Sequence, residues 1–153
     1  MAQILIAYFS HSGTTKRIAQ FLHEKVGGDI YEIRPLEPYP EEYSIVIKQV
    51  KKERLEGFRP ALLGELPDIS AYDRIFIGSP NWWGTVAPPV ATFLESLDFT
   101  GKTILPFVTH GGGRIGTSFG DIKEICPKAK VLETLDGNQG DNIEDWLSRV
   151  DML

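Results

Sequence analysis

Short runs of apolar and β-branched residues alternate along the chain with stretches whose apolar positions repeat at helical spacing. Residues 4–9, 30–33, 74–77, 104–108 and 130–132 read as strands, each bounded by polar or turn-forming residues. Between them, Ile18, Phe21, Leu22 and Val26 lie on one side of a helix that stops at Gly27 and Gly28. Val90, Phe93, Leu94 and Leu97 fall at i, i+3, i+4 and i+7 behind Pro88 and Pro89, which suit a first helical turn. Ser118–Ile125 reads as a helix ending before Pro127, and Ile143, Trp146, Leu147 and Val150 form the face of a last helix capped by Asp141 or Asn142. Strand and helix in alternation imply a parallel sheet covered on both faces.

Two places resist this pattern. Pro106 falls inside the fourth strand, and an interior strand normally excludes proline because it has no N–H for the ladder. The stretch between Pro35 and Pro67 is long for a connection, with Pro35, Pro38 and Pro40 at its start and a charged helical segment, Tyr43–Leu55, in its middle. It reads as a crossover helix with long approaches, and Tyr39, Tyr43 and Phe58 make it a candidate lid or interface. No repeat or linker stands out, so residues 1–153 are expected to form one domain.

Composition narrows the function classes. Charged residues make up 24%, hydrophobic ones 42%, and the formal net charge is −5, an ordinary globular balance with an acidic lean. Nucleic acid is not an expected partner, because binding a phosphate backbone asks for a basic surface. The apolar runs are strand-sized and no basic segment leads into a hydrophobic one, so neither a signal peptide nor membrane insertion is expected, and a cytoplasmic location is. Cys126 is the only cysteine, which excludes an internal disulfide and any cysteine-based cluster or zinc site.

The candidate chemistry sits at the ends of strands. "SHSGTT", Ser10 to Thr15, follows the first strand and leads into the first helix. Such a junction presents unpaired N–H groups at the positive end of a helix dipole, a ready anion site. Gly13 lets the backbone turn and approach a ligand, and Ser10, Ser12, Thr14 and Thr15 add hydroxyls around the same point. The stretch has no acid and no triphosphate-loop lysine, so it suits a phosphate monoester; a helix cap rich in Ser and Thr is the alternative. "GSPNWWGT" follows the third strand and sets Trp82 beside Trp83 between Pro80 and Gly84. Neighbouring side chains point apart, so at most one indole is easily placed in the core, and the other needs a partner such as a flat aromatic ring. "THGGGRIG", Thr109 to Gly116, follows the fourth strand with three glycines that leave backbone free to touch a ligand, or a mobile loop. His110 is either a ligand contact or a solvated side chain. Three such loops at the carboxyl ends of parallel strands fit the rule for ligand sites in open α/β sheets.

In this order and strand context, the three motifs make the chain resemble the short-chain flavodoxins over nearly its whole length. The resemblance implies a flavodoxin-like α/β/α sandwich around a five-stranded parallel sheet of order 2-1-3-4-5, with FMN as cofactor. It implies that Ser10, His11, Ser12, Gly13, Thr14 and Thr15 hold the FMN phosphate and that Pro80, Asn81, Trp82, Trp83 and Gly84 lie along the isoalloxazine. Thr109, His110, Gly111, Gly112 and Gly113 would bind its other edge. It further implies electron transfer, with the Trp83–Gly84 carbonyl turning toward flavin N5 to stabilise the one-electron-reduced state, a rotation that Gly84 would ease.

Departures from that pattern keep alternatives open. The third loop has Arg114 and no aromatic residue, which leaves one ring face open, and the acidity is mild for the family. The leading expectation is an electron-transfer protein working with redox partner proteins or a small-molecule acceptor. The alternative is an FMN-dependent NAD(P)H oxidoreductase acting on a quinone or similar acceptor. A third class is a phosphate-binding module without redox activity; a phosphatase would want a cysteine nucleophile in the first loop, which has none, and Cys126 reads as structural. Oligomeric state is left open.

Overall fold

The structure, a computed structural model, describes residues 3–110, 115–138 and 142–152. Its elements run β1 (Ile4–Tyr8), α1 (Thr14–Val26), β2 (Asp29–Glu32), α2 (Tyr43–Leu55), β3 (Arg74–Trp82), β4 (Thr85–Val86), α3 (Pro88–Ser96), β5 (Thr103–Thr109), α4 (Ser118–Ile125), β6 (Lys130–Val131), β7 (Leu135–Asp136) and α5 (Ile143–Arg149). The parallel path is β2-β1-β3-β5-β6, which is the expected order over the five expected strands. Two short strands are added to it. β4 folds back antiparallel on β3, and β7 continues the β6 edge along β5.

Alternation along the strands builds two cores. Leu5, Ala7, Phe9, Ile75, Ile77 and Ile104 face one side with Val46 and Val50 of α2, Phe93 and Leu94 of α3 and Ile122 of α4. Ile6, Tyr8, Phe76, Leu105 and Phe107 face the other with Ala19 and Leu22 of α1 and Trp146 and Leu147 of α5. These are the three layers the sequence implies. Among the described residues, no helix is long and apolar enough to cross a membrane.

The prolines fit because of where the ladder stops. Ile104 and Val108 turn their carbonyls toward the β6 and β7 edge, accepting from Leu132 N–H at 2.9 Å and Gly137 N–H at 2.7 Å. By the same alternation Pro106 faces that edge, in the gap between the pairs Ile104↔Val131 and Phe107↔Leu135. Its missing N–H is therefore not missed. The fifth strand is split at that gap, so a single strand over 130–132 is too simple. Likewise β3 does not stop at Ile77 but runs on to Trp82. Gly78 accepts from Phe9 N–H at 3.0 Å on the β1 side, and Pro80 faces the same side just past the last pair, Tyr8↔Gly78.

The long connection keeps its helix at the expected bounds and is pinned at both shoulders. Leu36 N–H donates to Ala61 C=O at 2.8 Å and Leu63 N–H to Arg34 C=O at 2.7 Å, around the bridge Pro35↔Leu62. Gly78 is a close-packing point: a Cβ there would stand 2.2 Å from the buried Phe107 ring. Gly78→Ala is expected to cost about 1–3 kcal/mol, as overpacked cores do. An unchanged urea midpoint with an unchanged m-value would refute this contact.

Candidate functional site

The first loop leaves β1 at its carboxyl end and turns at Gly13, the N-cap of α1, with a φ of 95°. Gly13 N–H donates to Ser10 Oγ at 3.1 Å, and Ser12 and Thr14 hydroxyls lie 3.2 Å apart at the surface. No side chain caps α1 and its first turn holds no acid, so the positive end of the helix is left for an anion. Thr15 is spent elsewhere. Its buried hydroxyl lies 2.8 Å from that of Thr109, tying the first loop to the end of β5. His11 turns outward, its Nε2–H donating to the Pro40 carbonyl at 2.7 Å, so its side chain anchors the long connection.

The "NWWG" stretch is not a loop in the sense first expected. Asn81 and Trp82 belong to β3, and only Trp83 and Gly84 turn the chain into β4. Ser79, which sequence reasoning passed over, closes this hairpin: its buried Oγ accepts from Ala87 N–H at 2.8 Å. The two indoles divide as the alternation rule requires. Trp82 is buried, with its ring edge-on to Phe9, Tyr39 and His11 at centroid distances of 5.3, 5.1 and 5.6 Å. Tyr39 donates to the buried Glu53 carboxylate at 2.7 Å, and burial, followed by that carboxylate, pushes its phenol pKa well up. Trp83 is 40% exposed and lies on α2, where Nε1–H donates to the Ile47 carbonyl at 2.6 Å and the Lys51 ammonium stands 5.4 Å from the ring centroid. Arg54 donates to the Trp83 carbonyl, and Gly84 N–H donates to Asn81 Oδ1 at 2.8 Å.

At the end of β5, His110 is gripped by residues of the next strand end. Its Nε2 lies 2.7 Å from Asp136 Oδ1, its N–H donates to Asn138 Oδ1 at 2.9 Å, and its carbonyl accepts from Asn138 Nδ2 at 2.5 Å. Asp136 and Asn138 were not singled out from the sequence, because β7 is only two residues long; the "DGN" turn was the available signal. Gly111, Gly112 and Gly113 lie outside the described residues.

A cleft of about 220 Å³ brings the loops together. It is lined by His11, Ser12, Thr14 and Thr15, by Pro80, Asn81 and Trp82, and by Thr109 and His110, with Tyr43 of α2 at the rim. Ser10, Gly13, Trp83 and Gly84 are not among its walls. Cys126 is remote from the cleft, at the end of α4, where burial and then Glu95 push its thiol up to about 11.

A parallel sheet flanked by helices, with an acid-free helix start and a cleft across its strand ends, defines an open α/β protein. The chain belongs to the flavodoxin family, whose sequence profile matches residues 3–150. It is similar to a provisionally named flavoprotein from Bacteroides eggerthii, 34% identical over 99% of each chain with a TM-score of 0.86. A Bacteroides uniformis protein named in the same way is 31% identical over 96% of this chain and 98% of that one, at 0.80. A Lactobacillus acidophilus flavoprotein solved in complex with FMN is 22% identical over 94% and 99%, at 0.75, a likeness of fold. A search of curated protein sequences finds no match.

The Thr15 and Thr109 hydroxyls are both buried, so Thr15→Val is expected to cost about 1–3 kcal/mol by orphaning its partner. Thr15→Val with Thr109→Val should recover part of that loss in a double-mutant cycle. Strictly additive losses would show that the two hydroxyls are not coupled.

Proposed function

We propose that the chain binds FMN and transfers electrons through it, exchanging them with redox partner proteins or a small-molecule acceptor. The observation that carries this reading is the uncapped, acid-free start of α1, ringed by the hydroxyls of Ser12 and Thr14 and shaped by the Gly13 turn. A phosphate monoester fits there because its negative charge meets the positive end of the helix and its oxygens accept from the hydroxyl and backbone N–H donors. Ser12 and Thr14 would hold the phosphate, on the turn that Gly13 and Ser10 shape. Pro80, Asn81 and Trp82 would flank the ring, with Thr109 and His110 opposite. Membership of the flavodoxin family, and the FMN complex of the Lactobacillus relative, support the choice of FMN over other phosphate esters.

Bound FMN supplies electron chemistry at its isoalloxazine; the protein supplies position and electrostatics. Trp82 gives the cleft a buried aromatic wall that keeps water from one side, and Asp136 with Asn138 fixes His110 at the other. Trp83 supplies no such wall, because its indole is bonded to α2. A second reading, an NAD(P)H oxidoreductase acting on a quinone-like acceptor, is favoured by the absence of any aromatic residue from Thr109 to Gly116 to cover the second ring face.

Titration of the purified protein with FMN and with riboflavin tests the cradle directly. FMN is expected to bind at least about a hundredfold more tightly, two or more charge-assisted hydrogen bonds being at stake. Gly13→Val is expected to remove that preference, since the φ of 95° admits no β-branched side chain without strain. Equal affinity for the two flavins would overturn the phosphate assignment, and no binding of either would revive a phosphate-binding module without redox activity. Among aromatic variants, Trp82→Ala is expected to weaken FMN binding and relieve its fluorescence quenching more than Trp83→Ala; the reverse order would move the ring to the α2 side.

A further inference from the structure

Helix α2 has a buried side and an outer side of different chemistry. Val46, Val50 and Glu53 form its buried stripe. By helical spacing the opposite arc carries Ile45, Lys48, Lys51, Lys52 and Leu55, all exposed, with Ile47 and Arg54 at its margin. Four of the chain's 16 basic residues thus lie on this helix. Its one acid, Glu53, faces inward, where its carboxylate accepts from Tyr39 at 2.7 Å and from Gln49 Nε2 at 2.8 Å. Among the described residues no ion pair takes up Lys48, Lys51 or Lys52. Like charges three and four positions apart on a helix are destabilising, so the arrangement contributes nothing to the fold. It also runs against the net charge of −5, which makes the rest of the chain more acidic still.

An aromatic side chain joins this face from the turn between β3 and β4. The Trp83 indole donates to Ile47 C=O at 2.6 Å, the Lys51 ammonium stands 5.4 Å from the ring centroid, and Arg54 donates to the Trp83 carbonyl. The ring is held, yet it stays 40% exposed and is no wall of the cleft at the strand ends. Its φ of 58° lies where Asn or Gly is the cheaper first residue of a two-residue hairpin turn. The turn alone does not account for an indole there. Leu55, 80% exposed, and Ile45 add apolar surface among the lysines.

We propose that the outer face of α2, with Trp83 beside it, docks a protein whose own contact surface is acidic. A fixed indole among cations has the anatomy of a protein contact, an aromatic anchor inside a polar rim. Charge supplies the orientation, because an acidic partner is drawn to this face and turned away by the acidic remainder. A 13-residue helix is about 20 Å long, so the contact belongs to the small, transient class. That length disfavours an extended nucleic acid, which would run off the helix onto acidic surface. A second copy is disfavoured too: two α2 faces repel each other, and α2 set on another copy's acidic side makes a head-to-tail contact with no closure. Tyr43, the first residue of α2, stands at the rim of the cleft, so a docked protein sits beside whatever the cleft holds. Electron exchange across that rim rests on the FMN reading above; the docking does not.

A blocked peptide of alternating Glu and Tyr, about as long as α2, is the probe, with its Gln and Tyr counterpart as the uncharged control. Titrated into the FMN-free protein, it is expected to shift the Trp83 indole N–H resonance and to bind at least about fivefold more weakly when salt rises from about 20 to 200 mM. Lys48→Gln with Lys51→Gln is expected to weaken it at least about tenfold, and Trp83→Leu likewise. Lys25→Gln with Arg149→Gln removes the same charge from α1 and α5, in the other helical layer, and is expected to change affinity by less than about twofold. Equal losses in the two charge-matched doubles, equal binding of the uncharged peptide, or an unmoved Trp83 resonance would overturn the proposal. A single-stranded oligonucleotide of the same charge that binds more tightly would replace the protein partner by nucleic acid. Self-association in sedimentation that the α2 variants abolish would replace it by a second copy. With no flavin present, each outcome is independent of whether the cleft takes FMN.

Discussion

The site depends on where the parallel ladder ends. Tyr8 makes its last pair with Gly78, and Pro80 makes the last pair with Thr109. Beyond these, β1 pairs no further, and its chain turns at Gly13 into a helix start that no side chain caps. Pro80 marks the same limit from the other strand, because a residue without an N–H is cheapest where no neighbour asks for one. The hydroxyls of Thr15 and Thr109 then bridge the two loop roots inside the protein, at 2.8 Å. A cleft at the strand ends follows from this termination rather than from any one loop.

The second requirement is a wall for that cleft, and the long connection helps to supply it. Trp82 at the end of β3 would keep only Phe9 as an aromatic neighbour without Tyr39, whose hydroxyl is bonded to Glu53, and without His11, whose ring reaches Pro40. The segment between β2 and β3 is therefore not only a crossover. It packs Trp82 from one side through Tyr39 and grips Trp83 and its carbonyl from α2. Leu36, Tyr43, Leu55, Phe58 and Leu63 remain exposed along it, so its apolar content is only partly spent on the fold.

Strand alternation, helix faces and the Pro88 start of α3 were legible because each rests on local periodicity. The bounds of α2 were legible for the same reason. What the sequence hid were features set by neighbours: the run of β3 beyond Ile77, the split of the last strand opposite Pro106, and the Asn138 clamp on His110. Each depends on which edge of a strand is paired, and residue order alone does not state that. The paired tryptophans were read correctly as one core and one exposed residue. Their environments were not, because the helix that receives Trp83 lies 36 positions away in sequence, at Ile47.

The hairpin at Trp83 and Gly84 shows how a single residue type changes what a turn can do. Glycine at the second turn position is permissive, and a reading confined to it assigns freedom to the whole peptide. A peptide unit has two flanking residues, however, and its rotation moves ψ of the first as much as φ of the second. With tryptophan in first place at a φ of 58°, the available backbone well is narrow, and Arg54 and Asn81 occupy the groups that rotation would release.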